Sequence, residues 1–249
     1  DKGFVKVSYT DILRDSINED VESILSDFNN DGKTDLYIGT GGADFYNQSK
    51  PLLDVYYQAS DSGFTARRID GYFENASCIR AHDFDSDGDL DLFIGNQSVS
   101  NDFGKTPKSY LLINDEGTFK PYQPDLFEKL GMVTDAIWSD FNNDNQMDLI
   151  VVGEWMSPVF LKNNGGVFEQ DNLMPEKLKG LWQSVAAFDV DGDGLTDYVL
   201  GNWGLNSRFK ASSTHPLRMY YGDFDDNGKS ETIVTKAIGD SYYPLEGLD

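Results

Sequence analysis

A nine-residue element recurs five times along the chain, and its spacing restricts the fold more than any other feature. The copies read DFNNDGKTD from Asp27 to Asp35, DFDSDGDLD from Asp83 to Asp91, DFNNDNQMD from Asp140 to Asp148, DVDGDGLTD from Asp189 to Asp197 and DFDDNGKSE from Asp223 to Glu231. Their starts are 56, 57, 49 and 34 residues apart. Each copy lies between runs rich in β-formers, such as ESILSDF and DLYIGT or DAIWSDF and DLIVVG, so each reads as the turn of a hairpin. A glycine shortly afterwards (Gly39, Gly95, Gly153, Gly201) reads as the end of the second strand. In three copies a second hairpin follows, turning at Asp61-Ser62-Gly63, at Glu116-Gly117 and at Gly165-Gly166. Each unit is therefore expected to hold four strands.

Four antiparallel strands repeated about every fifty residues cannot bury both faces alone. Stacking such sheets radially around an axis solves this, which predicts an all-β β-propeller. Blades are expected at about 21–70, 76–123, 132–172 and 183–244, with 1–20 holding the outer strand of a preceding blade (GFVKVSY) and a connector. The fifth copy follows the fourth too closely for a blade of its own, so PLRMYYGDF and ETIVTKAIG read as the last two strands of blade four. Four blades and a leading strand imply part of a larger propeller. The one helical patch, PDLFEKLG from Pro124 to Gly131, bridges blades two and three.

The loops carry a chemical signature as well as a turn. Positions one, three and five are Asp27, Asn29 and Asp31; Asp83, Asp85 and Asp87; Asp140, Asn142 and Asp144; Asp189, Asp191 and Asp193; Asp223, Asp225 and Asn227. Position nine is Asp35, Asp91, Asp148, Asp197 or Glu231. A turn alone needs no acid at all four places, whereas Ca²⁺ takes six to eight oxygen ligands. Position seven varies freely (Lys33, Asp89, Gln146, Leu195, Lys229), so only its backbone carbonyl is expected to face the ion. Position six is Gly32, Gly88, Asn145, Gly194 or Gly228, the types that enter positive φ most easily. An EF-hand needs an acid at position twelve, where Ile38, Ile94, Val151, Leu200 and Val234 stand. Up to five Ca²⁺ ions are expected, the second and fourth loops filling first because all four of their side-chain positions are carboxylates.

Composition narrows the partners. Across 249 residues, 43 acidic side chains against 20 basic ones give a net charge of −23, which repels nucleic acid. With 13% aromatic and 39% apolar residues the chain is not a solvated acidic tail. A single cysteine, Cys78, excludes an intrachain disulfide. No apolar run is long enough to span a membrane as a helix, and a chain opening at Asp1 without methionine reads as a mature or excised piece. His82 and His215 lie in no zinc pattern, and no nucleophile elbow or phosphate loop occurs.

The loops and their flanking strands resemble the FG-GAP/VCBS repeats of the integrin α-subunit propeller and of bacterial surface proteins. They are most similar to repeat proteins akin to cartilage acidic protein that often carry an ASPIC/UnbV domain. The resemblance implies structural calcium and a ligand at the face opposite the loops. Trp155 and Trp203, each two residues after the strand-two glycine, are the candidate ligand contacts there. A binding or scaffolding module for a protein or a glycan is expected; the alternative is a propeller-framed polysaccharide lyase or hydrolase. Calcium supply points to an exported, extracellular, cell-surface or periplasmic protein, bacterial in type. Asn47-Gln48-Ser49, Asn75-Ala76-Ser77 and Asn96-Gln97-Ser98 match glycosylation triplets.

Overall fold

The computed structural model describes residues 9–13, 19–41, 54–69, 74–100, 102–174, 178–204, 206–207 and 210–245. All of the expected leading strand at 3–9 but Tyr9 lies outside them, as does the Asn47-Gln48-Ser49 triplet.

The first sheet is an antiparallel meander of β1 (Glu19–Ser26), β2 (Asp35–Gly41), β3 (Val55–Ser60) and β4 (Gly63–Arg68). A second has the same order in β5 (Asn75–His82), β6 (Asp91–Ser98), β7 (Tyr110–Asp115) and β8 (Thr118–Tyr122). A third runs through β9 (Met132–Ser139), β10 (Asp148–Met156), β11 (Val159–Asn164) and β12 (Val167–Asp171). Every nine-residue element closes the hairpin of the first two strands, as the flanking β-formers predict. A short helix α1 (Thr10–Leu13) precedes the first sheet, and α2 (Pro124–Phe127) joins the second to the third. The second helix confirms the helical patch at half its expected length.

The sheets stack radially. β5 packs against β1 and β2, β9 against β5 and β6, and β13 (Gly180–Phe188) against β9 and β10. Alternation along each second strand then explains why these runs are apolar throughout rather than every other residue. On β6, Leu92 and Ile94 join the core shared with the first sheet, beside Phe28, Tyr37 and Tyr56. Phe93 points the other way, into the core shared with the third sheet, beside Phe84, Val133 and Phe168. β10 repeats this: Leu149 and Val151 face the second sheet, whereas Ile150 and Val152 face Val185 of β13.

The first strands are tied by one charged network. Arg80 of β5 donates from Nε to the Ala136 carbonyl at 2.8 Å and from Nη2 to Asp135 Oδ1, while its Nη1 lies 3.7 Å from Glu22 Oε2 of β1. The other oxygen of Asp135 accepts the Val185 N–H of β13 at 2.9 Å. A half-buried guanidinium is tolerable there because its nitrogens meet acceptors, the Ile79 carbonyl at 2.8 Å among them.

Two expectations are corrected. The strand-two glycines do not end their strands: β2 continues to Gly41, β6 to Ser98 and β10 to Met156. Gly39 and Gly95 sit where the next blade presses in, whereas Gly153 and Gly201 lie against Met132 and Ser184 of the strands they pair with. A Cβ on Gly39 would lie 2.9 Å from Ala76 Cβ, and one on Gly95 would lie 2.5 Å from Val133 Cγ1. The residues 217–238 also do not complete blade four. β14 (Asp197–Asn202) pairs with β13, which joins the third sheet through Glu154↔Leu181 and Met156↔Gly180. β15 (Arg218–Gly222), β16 (Glu231–Ile238) and β17 (Ser241–Pro244) form a separate three-stranded sheet. The fifth loop therefore joins the first two strands of its own sheet, as the first three copies do. The flanks of the fifth loop pair as expected, β15 with β16; what differs is the sheet they belong to.

Candidate metal loops

All five loops share one hydrogen-bonding scheme. The position-one carboxylate accepts the position-five N–H at 3.0–3.2 Å and the position-six N–H at 2.8–3.1 Å. The position-five side chain accepts the position-seven N–H at 2.8–3.0 Å. The position-nine carboxylate reaches back to the position-two N–H at 2.9–3.2 Å. The acids thus fold their own loop, which explains why a side-chain oxygen is needed at each of these positions even before a cation is considered.

Position six adopts φ between 67° and 99° in all five copies, Asn145 included at 67°. The replacement of glycine in the third loop therefore leaves the turn intact. Position four is left-handed too: Asn30, Ser86, Asn143 and Asp226 lie at φ 56°, 64°, 59° and 59°, and Gly192 at 78°. This second left-handed residue escaped the motif reading. Its signal was present, since only Asn, Ser, Asp and Gly occupy that column.

The carboxylates converge. One oxygen each from Asp83, Asp85 and Asp91 lie within 4.8 Å of one another, as do those of Asp189, Asp191 and Asp197 and of Asp223, Asp225 and Glu231. The first and third loops carry Asn29 and Asn142 at position three, whose amide oxygens accept the Asp31 and Asp144 N–H groups at 3.2 and 2.9 Å. Burial pushes Asp91 up to about 7, against the pull of N–H groups from Asn114 and Phe84. Asp148 is also raised by burial, and Asp85 by burial and by Asp87 beside it. Asp189, in the more open fourth loop, is instead lowered by the N–H groups of Gly194 and Gly192. Three carboxylate oxygens within 4.8 Å of one another repel, and a divalent cation would relieve that load. The donor set fits an oxygen-seeking ion: carboxylate or amide oxygens at positions one, three, five and nine, with the backbone carbonyls of Lys33, Asp89, Gln146, Leu195 and Lys229 at position seven.

Position seven does more than the sequence indicated. The side chain of Asp89 accepts the Glu116 N–H at 2.8 Å, Gln146 accepts the Gly165 N–H, and Lys33 lies 3.5 Å from Asp61. All three partners sit in the turn between the third and fourth strands. In the first three loops the position-seven side chain therefore ties the loop to that turn.

At the opposite end of the strands, Trp155 and Trp203 occupy equivalent places after β10's Gly153 and β14's Gly201. Trp203 is 43% exposed and Trp155 partly buried, so neither is a core side chain. Trp155 stands at φ 61° in a bulge of β10, where the register with β13 shifts between Glu154 and Met156. A bulky residue there is strained. Beside it, Gln183 Nε2 donates to Glu154 Oε1 at 2.8 Å. The other triplet asparagines, Asn75 and Asn96, are buried at 6% and 2% exposure and so are not presented for glycosylation in this fold. His82 stacks near Trp138 with ring centroids 5.3 Å apart, and burial lowers its pKa.

The FG-GAP-like repeat, as a family, matches residues 27–94, 83–151 and 140–200. Curated proteins compared with the chain return no match. Among the described residues, no helix is long and apolar enough to cross a membrane.

Proposed function

Because the chain belongs to the FG-GAP-like repeat family, whose repeats span its first four loops, we propose that it is a calcium-dependent β-propeller module that presents a binding surface. The observation that carries this reading is the gathering of three carboxylate oxygens within 4.8 Å in the second, fourth and fifth loops. The loop's own N–H groups need an oxygen at each of these positions, but amides such as Asn29, Asn142 and Asn227 serve that purpose, so the excess of charge over turn needs favours a cation. Calcium bound there would satisfy oxygens that now repel one another, and so tie together the hairpin of each blade. Loops of this class fill at extracellular calcium of about 10⁻³ M, which favours an exported location. The partner is a protein or a glycan at the face opposite the loops, where Trp155 and Trp203 offer aromatic surface. The strain at Trp155 supports this, because a side chain needed only for packing has no reason to occupy φ 61°.

Thermal melts with calcium and with excess chelator test the metal role. Calcium at a hundred times its dissociation constant adds about 2.7 kcal/mol per site, so the melting temperature should rise by several degrees. An unchanged melting temperature in chelator would sink the reading. Binding to glycan and protein arrays, lost in both Trp155→Ala and Trp203→Ala, tests the surface.

A further inference from the structure

The metal loops are not independent of one another. Asn114, at the end of β7 and 1% exposed, makes four hydrogen bonds. Its N–H donates to Asp91 Oδ1 at 2.8 Å, and its Nδ2 donates to the carbonyls of Leu90 at 3.0 Å and Phe28 at 2.7 Å. Its Oδ1 accepts the Gly117 N–H at 2.8 Å. Leu90 and Asp91 belong to the second loop, whereas Phe28 is position two of the first. Asn163, 2% exposed at the end of β11, repeats the scheme one blade on. Its N–H meets Asp148 Oδ1 at 2.8 Å, its Nδ2 meets the carbonyls of Met147 at 3.2 Å and Phe84 at 2.9 Å, and its Oδ1 accepts Gly166 N–H at 2.7 Å.

These bonds join into one chain. Asp35 Oδ2 accepts the Phe28 N–H, the Phe28 carbonyl accepts Asn114 Nδ2, and the Asn114 N–H reaches Asp91. Asp91 Oδ2 then accepts the Phe84 N–H, the Phe84 carbonyl accepts Asn163 Nδ2, and the Asn163 N–H reaches Asp148. Every residue along it is at most 3% exposed. The chain thus links the position-nine carboxylates of three successive loops through buried bonds that water cannot replace. A second contact runs in parallel, from Asn30 Nδ2 of the first loop to Asp89 Oδ1 of the second. In the first sheet, Ala59 holds the equivalent place and its N–H meets Asp35 Oδ1 at 2.7 Å, with no side chain to reach a further loop.

We propose that Asn114 and Asn163 are positioning residues that couple neighbouring metal loops, so that calcium at one loop strengthens binding at the next. The proposal rests on the calcium reading above. A cation that fixes Asp35 orders the Phe28 peptide, whose carbonyl holds the Asn114 amide, whose N–H in turn holds Asp91 in its liganding position. Coupling is reciprocal and amounts to about fivefold in affinity at the low end of measured cases.

Hydrogen exchange of the whole chain, titrated with calcium and resolved by peptide, reads each loop's midpoint separately. In the otherwise native chain, Asp31→Ala, which disables the first loop, should raise the calcium midpoint of the second loop about fivefold. In an Asn114→Ala background that shift should fall to less than twofold, although both loops still bind. Alanine suits the site, as Ala59 shows. Phe119→Ala is the control for packing loss: its ring lies 5.7 Å from that of Phe28 in the same interface, and the coupling should survive its removal. Should Asn114→Ala not fold, Asn163→Ala read at the third loop with Asp87→Ala disabling the second gives the same test. A second-loop midpoint indifferent to Asp31→Ala, or a shift that persists in Asn114→Ala, overturns the coupling while leaving calcium binding intact. No calcium-dependent protection anywhere overturns both readings.

Discussion

Replacing Gly95 by alanine isolates the contact that lets one blade approach the next. Gly95 lies inside β6 with no left-handed backbone angle, so alanine meets no conformational penalty and gains about 0.5 kcal/mol from a less flexible unfolded chain. Its Cβ, however, would lie 2.5 Å from Val133 Cγ1 and 2.6 Å from Cys78 Sγ, against an ordinary carbon contact of about 3.5–4.0 Å. Val133 and Cys78 are 0% and 1% exposed, so neither side chain has open space to retreat into. Forcing about 1 Å of separation into such a core costs about 1–3 kcal/mol, and with two clashes the upper half of that range applies. The net loss should be about 2 kcal/mol, or about 4–8 °C in melting temperature for a chain of this size. Val133→Ala alone should lose about 2 kcal/mol by leaving a void. In the double variant the new methyl partly fills that void, so urea unfolding should show a loss smaller than the sum of the two by at least about 1 kcal/mol. Strict additivity would refute the argument that Gly95 is there to admit Val133.

Other consequences are equally open to measurement. Calcium titration of Asp87→Ala and Asp144→Ala should show the larger loss for Asp87→Ala, since the third loop has one carboxylate fewer and Lys162 Nζ already lies 3.6 Å from Asp144 Oδ2; the reverse order would contradict the ranking. Asp54, 4% exposed, accepts the Thr40 N–H at 3.0 Å and the Tyr37 hydroxyl at 3.1 Å, and burial pushes its carboxyl up to about 6. Its folded pKa exceeds its unfolded one, so its contribution is fully present below about pH 4 and is lost as pH rises through about 6. Asp54→Asn removes that titration, and its stability relative to the native chain should improve by about 3 kcal/mol between pH 4 and pH 7.5; a constant difference across that window would refute the assignment. At the strained bulge, Trp155→Gly should be more stable than Trp155→Ala by about 1 kcal/mol in chemical denaturation, because only glycine accepts φ 61° freely; equal stabilities would show the bulge to be absent.

The nine-residue elements determined by themselves that the chain is all-β, that each copy closes a hairpin, and that acids gather in the turn. Those facts are local: the Asp at position one bonds to amides four and five residues on, and Asn, Ser, Asp or Gly, the types that enter positive φ most easily, occupy the two left-handed positions. What the sheet faces touch was not local, and only the tertiary structure decided it. Gly95 resembles a strand terminator in sequence, yet it marks the place where Val133 of the next blade enters. Asn114 and Asn163 resemble ordinary turn residues, yet each reaches a carbonyl 86 or 79 residues away. The clasp made by position seven was hidden for the same reason, since Lys33, Asp89 and Gln146 share no chemistry until their partners in the neighbouring turn are known. Spacing misled at the fifth loop: its 34-residue distance from the fourth read as membership of blade four, whereas β15–β17 form a sheet of their own, because which sheet a hairpin joins is a long-range contact that local spacing does not fix.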